Sequence, residues 1–372
     1  MGNLIAGDRA LLPGVEGLVP GWVEIEGGVI VAAGQGAPPR APDEVASTLA
    51  PGYVDVHSHG GGGAAFGTDD PADVETVLAT HRAKGTTTMV ASLVTGTIDT
   101  LAQQVALLAG FVEDGKLAGI HLEGPWLSAE HKGAHPEHLL CDPSPADVTR
   151  LLDAGRGGVR MITLAPERDG ALAAIAASVA RGCVAAVGHT AAGFETVEAA
   201  IDAGATGATH LFNGMPEMTH RTPGPVLALW RDSRVWLELV CDGVHVDPRL
   251  IAHVMATAPG RAVFVTDAMA AAGAQDGDYM LGELAVEVRG GVARLAEGGS
   301  IAGSTLTLDR AVRTAVGAGV PVADALRAAT VQPARYLGLS GVGALAPGCR
   351  ADVVDLDGGL NVTRVMVAGR WQ

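Results

Sequence analysis

Aromatic residues and positive charge are both scarce in this 372-residue chain. Aromatic residues make up 3% of it, and 25 lysines and arginines stand against 41 aspartates and glutamates, so the formal net charge is −16 at pH 7. No stretch gathers lysines and arginines into a basic patch, and we therefore expect no nucleic-acid partner. In a chain this acidic, an anionic substrate requires a local cationic pocket.

Cysteine pairs, signal-peptide features and long apolar runs are also missing. The N-terminus has neither the basic region nor the apolar core of a signal peptide, and no uncharged apolar run reaches the roughly 18 residues of a membrane span. We therefore expect a cytoplasmic protein that does not enter a membrane. Without Cys-x-x-Cys spacing, the cysteines are expected to be buried free thiols in a reducing compartment. They are Cys141, Cys183, Cys241 and Cys349.

What the sequence has is a long alternation of strand-like and helix-like segments. Apolar, β-branched runs predict eight strands, and periodic segments in most gaps predict helices. This pattern favours a (β/α)8 TIM-like barrel over a doubly wound open sheet, the weaker alternative. The predicted strands are 54–56, 86–92, 118–122, 159–164, 184–187, 207–211, 235–240 and 262–266. The predicted helices are 71–83, 97–113, 146–154, 170–180, 193–203 and 248–258, with 306–318 and 322–329 closing the barrel.

Both ends of the chain have short strand segments separated by glycine-rich turns. At the start, residues 21–25 and 29–33 flank Glu-Gly-Gly, and near the end 351–356 and 361–367 flank Asp-Gly-Gly. Neither end is long enough to form a core alone. We therefore predict a small β-sandwich domain built from residues 1–50 and 338–372, and a catalytic barrel over 51–337.

Two histidines follow the first predicted barrel strand. Residues 51–63 are Pro-Gly-Tyr-Val-Asp-Val-His-Ser-His-Gly-Gly-Gly-Gly, a buried strand and then a glycine run that lets substrate or another loop approach the backbone. Residues i and i+2 of a strand point the same way, so His57 and His59 can converge on one metal ion. Two strand histidines can equally be hydrogen-bonded residues without a metal, and the pair alone does not decide.

Other candidate ligands end other predicted strands. Glu123 ends the third strand, His189 the fifth, His210 the sixth and Asp267 the eighth. The carboxyl ends of barrel strands meet at one rim, where active sites lie, so these side chains should converge with the two histidines. Four imidazoles and two carboxylates suit a divalent metal, Zn²⁺ first and Fe²⁺, Mn²⁺ or Co²⁺ as alternatives. We expect one or two ions, with Glu123 between two and Asp267 as general base.

With these residues in place, the chain resembles the amidohydrolase superfamily and, within it, the family of N-acetylglucosamine-6-phosphate deacetylases. The resemblance covers nearly the whole chain, and Glu123 stands where many relatives have a carboxylated lysine. The matching motifs are HLEGP at 121–125, KGAH at 132–135, GHT at 188–190, HLFNGM at 210–215, DGVH at 242–245 and AGS at 302–304.

The resemblance implies an activity and a division of labour among the ligands. The activity is hydrolysis of the N-acetyl group of N-acetyl-D-glucosamine 6-phosphate to glucosamine 6-phosphate and acetate. Matched residue by residue, Glu123, His189 and His210 correspond to the main metal site, and Asp267 to the catalytic acid/base. His57 and His59 correspond to a second metal site that some family members lack.

The resemblance also implies how the sugar phosphate is bound. His135 would polarise the acetamide carbonyl, and Arg221 and His245 would hold the phosphate with the backbone of Asn213 and Gly214. Because the phosphate-binding loop of such families can reach a neighbouring subunit, we expect a homodimer in which Arg221 and His245 reach the partner's site. The residues expected to line the sugar pocket are Ala134, Asp242, Ile301, Ala302 and Gly303.

Two rival functions stay open at this stage. Another amidohydrolase activity, on an N-acyl amino acid or a cyclic amide, would use the same metal site but gain nothing from Arg221 and His245. A non-catalytic barrel that acts by binding partners is the second rival, and the retention of every ligand together with Asp267 argues against it.

Overall fold

The computed structural model describes residues 2–372, and it contains the following elements in chain order. The strands are β1 (Asn3–Ala10), β2 (Val19–Glu26), β3 (Val29–Gln35), β4 (Glu44–Pro51), β5 (Tyr53–Ser58), β6 (Gly60–Gly61), β7 (Ala64–Ala65), β8 (Thr86–Leu93), β9 (Gly119–Glu123), β10 (Val159–Leu164), β11 (Val184–Val187), β12 (Gly207–Ala208), β13 (Trp236–Val240), β14 (Ala262–Val265), β15 (Gly277–Leu281), β16 (Leu284–Arg289), β17 (Val292–Leu295), β18 (Val353–Leu356), β19 (Val362–Val367) and β20 (Arg370–Trp371). The helices are α1 (Pro71–Arg82), α2 (Ile98–Glu113), α3 (Pro145–Ala154), α4 (Ala171–Ala180), α5 (Phe194–Asp202), α6 (Gly224–Arg231), α7 (Pro248–Thr257), α8 (Leu308–Gly317), α9 (Val322–Ala328) and α10 (Val331–Tyr336).

Eight parallel strands form the predicted barrel. Their order is β5-β8-β9-β10-β11-β12-β13-β14, and one helix from α1 to α7 lies between each strand and the next. The ring closes between β14 and β5, where the backbone N–H of Asp267 donates to the carbonyl of His57 at 2.9 Å and that of His59 to Ala268 at 2.8 Å. The (β/α)8 prediction is therefore confirmed, and the doubly wound alternative is not supported.

Several helices begin where the sequence supplies an N-cap. The side chains of Asp70, Thr97, Ser144 and Asp247 accept backbone N–H groups from the first turns of α1, α2, α3 and α7. Proline occupies the first position of three of these helices, where its missing N–H costs no hydrogen bond. Because each cap ends the loop after a strand, it fixes the loop that presents side chains at the rim.

The sixth barrel strand is shorter than the sequence predicts. We expect it over 207–211, but β12 contains only Gly207 and Ala208, so the prediction that His210 ends a strand is wrong. The chain leaves the extended conformation because His210 and Phe212 have φ angles of 29° and 83°. The turn is nevertheless tied to the next strand, since the N–H of Leu211 donates to the carbonyl of Glu238 at 2.9 Å.

The two ends of the chain share one seven-stranded sheet, ordered β20-β19-β18-β4-β1-β2-β3. All its strand pairs are antiparallel except β1 with β4. Its core joins Ile5 and Leu49 from the first segment with Val353 and Met366 from the last. The predicted small β domain from both termini is thus confirmed, whereas its boundaries at 1–50 and 338–372 stay a prediction.

An unpredicted three-stranded antiparallel sheet follows the last barrel strand. β15, β16 and β17 are connected by tight turns at Gly282 and at Gly290–Gly291, and these glycines have positive φ angles. Leu281 and Val286 from this sheet pack with Ala134 in a separate apolar cluster. The sheet therefore lies over the rim where the candidate ligands meet.

The structure also bears on the cysteines and on possible membrane-spanning helices. All four cysteines are free, as predicted, but Cys141 and Cys349 are half-buried, so full burial applies to Cys183 and Cys241 alone. Within residues 2–372, no helix combines the length and apolar character needed to cross a membrane.

Candidate functional site

The candidate ligands converge at the carboxyl-terminal rim of the barrel. Only His57 and Glu123 lie within strands, in β5 and at the end of β9, and the other four occupy the loops just beyond. Three of those four have left-handed backbone conformations, with φ angles of 46° at His189, 29° at His210 and 47° at Asp267. Such conformations are costly for non-glycine residues and cluster at functional sites.

The first group of candidate ligands lies around Oε2 of Glu123. His59 Nε2 lies 3.1 Å from Glu123 Oε2 and 3.3 Å from Asp267 Oδ1, and His57 Nε2 lies 3.6 Å from each of the same two oxygens. The donor atoms of these four residues all lie within 4.8 Å of one another. They are close enough to bind one ion together.

The second group uses the other oxygen of the same carboxylate. Glu123 Oε1 lies 3.0 Å from His210 Nε2 and 3.3 Å from His189 Nε2. Glu123 is therefore shared between the two groups, in the bridging position that the sequence predicts for two ions. All six side chains are buried, which keeps competing water away from the donor atoms.

The Nδ1 atoms of three of these histidines lie beside oxygen acceptors. Because carboxylate and carbonyl oxygens only accept, each Nδ1 carries a proton, which leaves Nε2 as the atom of each ring that can bind a metal ion. The pairs are His57 Nδ1 with Glu238 Oε2 at 3.0 Å, His59 Nδ1 with the Ser92 carbonyl at 3.1 Å, and His189 Nδ1 with the His131 carbonyl at 2.8 Å.

The Nε2 atoms of the four histidines face one another in two close pairs. His57 Nε2 and His59 Nε2 are 3.1 Å apart, and His189 Nε2 and His210 Nε2 are 3.0 Å apart. Two lone pairs this close repel unless a proton or a cation lies between them. The donor set, four imidazole nitrogens and two carboxylates, therefore fits divalent metal ions well.

His135 has the opposite arrangement. Its Nδ1 accepts the backbone N–H of Thr95 at 3.3 Å and lies 2.8 Å from the Thr95 hydroxyl. The accepted N–H leaves the ring proton on Nε2, which points into the site 3.6 Å from Glu123 Oε2. Burial and the nearby charge of His189 lower the pKa of His135 to about 3, so the ring is neutral and Nε2 is a hydrogen-bond donor.

Buried carboxylates give the site an excess of negative charge. Burial works against the charged form of His57, but Glu123 and Glu238 outweigh it and raise the pKa of His57 well above its usual value. Burial likewise opposes ionisation of Glu123 and Asp267, yet His57 and its neighbours hold the pKa of both carboxyl groups well below the usual range. The carboxylates are charged, and protons or cations must balance them.

Glu238 is a functional candidate that sequence reasoning missed. It is fully buried in β13, where Oε2 accepts from His57 Nδ1 and, at 3.3 Å, from the backbone N–H of His210. Its other oxygen accepts the hydroxyl of Tyr336 at 3.3 Å. The carboxylate of Glu238 thus contacts one candidate ligand from each group, His57 from the first and His210 from the second. The sequence does contain an indication, because Glu238 is the single charged residue in the apolar run 235–240.

His121 lies beneath the ligands, inside the barrel. Its Nδ1 lies 2.9 Å from the Ser92 hydroxyl and its Nε2 2.8 Å from the Thr163 hydroxyl, and its ring stands edge-on to His57 with centroids 4.6 Å apart. Burial and the charge of His57 lower the pKa of His121 well below its usual value, so this ring is neutral. Hydrogen bonds and packing give it a supporting position under the candidate ligands.

The glycine run after His59 meets another loop. The backbone N–H groups of Gly60, Gly62 and Gly63 donate to carbonyls of residues 268–272 at 2.7–2.9 Å, and His81 Nε2 donates to the Gly60 carbonyl at 2.9 Å. A side chain at Gly60 would lie 2.5 Å from the Ala64 carbonyl oxygen. The glycines thus allow close packing of the loop after β14, and the hydrogen bond of His81 helps to hold the glycine run in place.

A cavity of about 290 Å³ opens from the ligands and contains most of the predicted substrate residues. Two predicted residues support it from behind: Asp242 Oδ2 lies 2.7 Å from His245 Nδ1, and Ala302 is fully buried in the adjacent apolar cluster. Val94, Leu281 and Ser300 were not predicted. The predicted residues on its wall are His59, Glu123, Ala134, His135, His189, His210, Asn213, Gly214, His245, Asp267, Ile301 and Gly303.

Arg221 is the predicted residue that the fold does not bring to this cavity. It lies in an exposed loop before α6, and within the described chain 2–372 it is absent from the cavity wall. His245, by contrast, is on that wall, and burial notwithstanding, Asp242 raises its pKa above the usual value. Within one chain, His245 is therefore the residue best placed to meet an anionic group.

Comparison with known proteins finds a matching family model and relatives that are named as deacetylases. The model of the amidohydrolase family matches residues 48–372. Over 362 residues the chain is 40% identical to the N-acetylgalactosamine-6-phosphate deacetylase of Escherichia coli O157:H7, covering 94% of this chain and 95% of that protein. It is 36% identical over 342 residues to the N-acetylglucosamine-6-phosphate deacetylase of Bos taurus, covering 87% and 83%.

Solved structures of high similarity carry related names. A mutant N-acetyl-D-glucosamine-6-phosphate deacetylase from Mycobacterium smegmatis, in complex with N-acetyl-D-glucosamine-6-phosphate, superposes with a TM-score of 0.96 at 50% identity, covering 100% of this chain and 99% of that one. The N-acetylglucosamine-6-phosphate deacetylase from Thermotoga maritima gives a TM-score of 0.87 at 33% identity, covering 98% and 97%.

Proposed function

This chain belongs to the amidohydrolase family, and we propose that it hydrolyses the N-acetyl group of N-acetyl-D-glucosamine 6-phosphate to glucosamine 6-phosphate and acetate. The observation behind the proposal is the double ligand group around Glu123, with His135 facing the same cavity as a neutral donor. Two structures from M. smegmatis that are named for this deacetylase activity, each 50% identical to the chain, support the choice of substrate.

We assign the six ligands to two subsites. His57 and His59 serve one, His189 and His210 the other, and Glu123 is shared, with Asp267 beside the first. We propose Zn²⁺, since imidazole and carboxylate donors suit it, although Fe²⁺, Mn²⁺ and Co²⁺ accept the same donors. When bound, a divalent ion acidifies a water molecule and polarises the acetamide carbonyl.

Asp267 is the proposed general base and then general acid. It lies at the cavity wall, its low pKa keeps it ionised at neutral pH, and its Oδ1 is 3.3 Å from His59 Nε2. The carboxylate accepts a proton from the attacking water as the new C–O bond forms. It returns that proton to the amide nitrogen as the C–N bond breaks, so that glucosamine 6-phosphate leaves as an amine.

His135 is the proposed stabiliser of the negative charge that develops on the carbonyl oxygen. Its proton is fixed on Nε2 by the N–H of Thr95, so the donor is oriented before the substrate binds. A neutral donor costs less to bury than a charged one, which agrees with the low pKa of His135.

We propose that the phosphate is held by His245 and the backbone at Asn213 and Gly214, with Arg221 contributed across a homodimer. His245, Asn213 and Gly214 lie on the cavity wall of one chain. Arg221 lies in an exposed loop, a position from which it can enter a neighbouring subunit's site, and its planar guanidinium suits phosphate oxygens.

We also propose a cytoplasmic location. The four free cysteines support a reducing compartment, where thiols stay unpaired.

A second candidate substrate is N-acetyl-D-galactosamine 6-phosphate. The 40% identity with the deacetylase of that sugar phosphate from E. coli O157:H7 favours it. The two substrates differ only in the orientation of one sugar hydroxyl, so both would use the same metal site and the same proton transfers.

The test is an acetate-release assay combined with metal analysis of the purified protein. We expect fast turnover of N-acetylglucosamine 6-phosphate and little turnover of unphosphorylated N-acetylglucosamine. Parallel reactions with the galactosamine epimer identify the second candidate. N-acyl amino acids or cyclic amides turned over in preference to both sugar phosphates would overturn the proposal, and a metal-free protein without hydrolase activity would favour the partner-binding rival.

A further inference from the structure

A second chamber lies against the candidate ligand His59, next to the cavity described above. Its volume is about 390 Å³, and it shares three wall residues with that cavity, namely His59, Val94 and Leu281. Among residues 2–372, none of those assigned above to the sugar or its phosphate lines this chamber. The chamber therefore shares the candidate ligand His59 with the site but none of the residues assigned to the sugar.

The walls of the chamber suit an uncharged, partly apolar group. Besides the shared residues they include the apolar Ala65, Leu139 and Met280, together with neutral polar side chains such as Thr97 and Gln104. Within the described chain the lining contains no lysine or arginine, and its carboxylate, Glu283, is exposed and pairs with His138 at 3.2 Å. An aliphatic chain loses water on entering such a space, and each buried methylene contributes favourably.

Two aliphatic side chains separate the chamber from the site. Val94, half-buried, follows β8, and Leu281, buried, ends β15 at the tip of the hairpin with β16. At the tip itself, a side chain on Gly282 would lie 3.1 Å from Val94 Cγ2, so the glycine lets the hairpin pack closely on Val94. The partition thus consists of two aliphatic side chains. They can move apart without breaking a hydrogen bond between them.

The geometry of an amide determines which part of a substrate meets this partition. An amide is planar and trans. The sugar carbon bonded to the nitrogen and the alkyl carbon bonded to the carbonyl carbon therefore lie on opposite sides of the C–N bond. With the sugar beside His245, Asn213 and Gly214, as the proposed function requires, the acyl group extends away from them. Besides His59, Val94 and Leu281 are the wall residues that the site cavity shares with the chamber, so an acyl group that leaves the cavity for the chamber must pass them.

We propose that this protein also hydrolyses amino-sugar 6-phosphates that carry longer unbranched N-acyl chains, with the acyl tail passing between Val94 and Leu281 into the chamber. The inference rests on the proposed function and names a wider substrate class for the same site. The chemistry is unchanged: water adds to the acyl carbon, the C–N bond breaks, Asp267 transfers the proton to nitrogen, and the products are glucosamine 6-phosphate and a longer carboxylate.

The test is a series of N-acetyl, N-propionyl, N-butyryl and N-hexanoyl glucosamine 6-phosphates assayed by amine release. We expect kcat/KM for the N-butyryl substrate to stay within about tenfold of the N-acetyl value, because a closed pocket loses about 10- to 200-fold for one misplaced methylene. Val94→Ala widens the partition and should raise the ratio of N-hexanoyl to N-acetyl turnover.

Filling the chamber supplies the matched control. Gly67 lines the chamber but not the site cavity, and the single neighbour of a Cβ atom there within 4 Å would be Gln104 Nε2, at 3.7 Å. Gly67→Leu should lower N-hexanoyl turnover at least about tenfold while leaving N-acetyl turnover intact. Gln104→Trp, on the wall formed by α2, fills the same space. It replaces Gly67→Leu in the test if thermal melting shows that Gly67→Leu folds poorly.

The assays distinguish failure of the acyl-chamber proposal from failure of the proposed deacetylase function. Steep loss of activity with each added methylene, unaffected by Val94→Ala and by both filling variants, overturns the acyl-chamber proposal and leaves the deacetylase function standing. Absence of N-acetyl turnover in the wild-type, metal-loaded protein overturns the proposed function itself.

Discussion

The partner of Nδ1 separates the histidines of the site into two kinds. His57, His59 and His189 donate from Nδ1 to oxygen and therefore keep Nε2 as the metal-binding atom, whereas His135 accepts at Nδ1 and offers an Nε2 proton. A ring of the first kind suits a metal, and one of the second kind suits an oxyanion. Residue type alone predicts neither behaviour, because all four are histidines.

Replacing Asp267 with asparagine tests the proton-transfer role. Asparagine has a similar shape but cannot accept the water proton, so we expect Asp267→Asn to keep the fold and at least one metal ion and to lose about 10²- to 10⁴-fold in kcat. The measurements are acetate release, metal content and the thermal unfolding midpoint. Near-normal deacetylation by this variant would exclude Asp267 as the general acid/base.

Replacing both His57 and His59 with glutamine tests the division into subsites. The second group, Glu123 with His189 and His210, is left intact, so we expect metal content to fall toward one ion per chain. The matched control is the double replacement of His189 and His210, which should abolish activity and reduce metal content further. Loss of all metal from the His57 and His59 double variant would reverse this ranking of the subsites.

Replacing Glu238 with glutamine tests its role as a positioning residue. The change removes the charge beside His57 Nδ1, and loss of such a partner typically lowers metal affinity 10- to 100-fold. We expect the ion at the His57 subsite to dissociate first, as followed by metal titration of chelator-treated protein. Tyr336→Phe, which removes only the hydroxyl 3.3 Å from the same carboxylate, should bind metal nearly normally. Equal metal affinity in both variants would mean that Glu238 serves the fold alone.

At the scale of the element, the loops after the strands determine the site. His189, His210 and Asp267 have positive φ angles just beyond β11, β12 and β14, where the chain turns sharply from the strand. Glycine-rich turns likewise let the β15–β17 sheet fold over the rim. Strands thus set the position of each loop, and the loop conformation directs the ligand.

Gly207→Ala is a prediction about the shortest barrel strand. A Cβ atom at this position in β12 would lie 2.0 Å from the Tyr336 hydroxyl and 2.7 Å from Ala186 Cβ, so neighbouring groups must move. We expect the free energy of unfolding to fall by about 1–3 kcal/mol, measured by chemical denaturation. Gly317→Ala on α8, where a Cβ atom has no neighbour within 4 Å, is the control and should be neutral or slightly stabilising. Equal effects of both changes would contradict the packing argument.

At the scale of the whole molecule, charge and assembly are linked. The chain has a net charge of −16, and its proposed substrate is an anion. One chain supplies His245 to the cavity but keeps Arg221 in an exposed loop outside it. A symmetric dimer gives each subunit the opportunity to complete its partner's site, because each contributes the same loop.

Mixed dimers test this assembly. We expect Arg221→Ala to raise KM for the sugar phosphate, and a hybrid of one Arg221→Ala subunit with one Asp267→Asn subunit to regain activity. In the hybrid, one site combines intact Asp267 with the arginine of the other subunit. Co-expression with two affinity tags isolates the hybrid, and its activity per dimer should approach about half that of the wild type. Activity no higher than that of the parent variants would place Arg221 in its own subunit's site or outside any site.

Much of the fold, and the convergence of the six candidate ligands, was predictable from the sequence because both depend on local patterns. Strand and helix periodicity predicted the eight-stranded barrel, and the predicted strand ends indicated which side chains would meet at its rim. The β15–β17 sheet escaped prediction because its strands are short and follow an already complete barrel pattern. Glu238 was missed because it lies within a strand, where burial beside His57 is a matter of which chain segments meet in space.

The sequence by itself determined which residues are available at the rim, since strand periodicity and the common direction of parallel strands are encoded over a few residues. Only the tertiary structure decided how Glu123 divides its two oxygens between histidine pairs, which nitrogen of each ring carries the proton, and where a second chamber opens beside His59. Those features depend on atoms from segments far apart in the chain that lie within about 3 Å of one another, and hydrogen bonds form only at such distances.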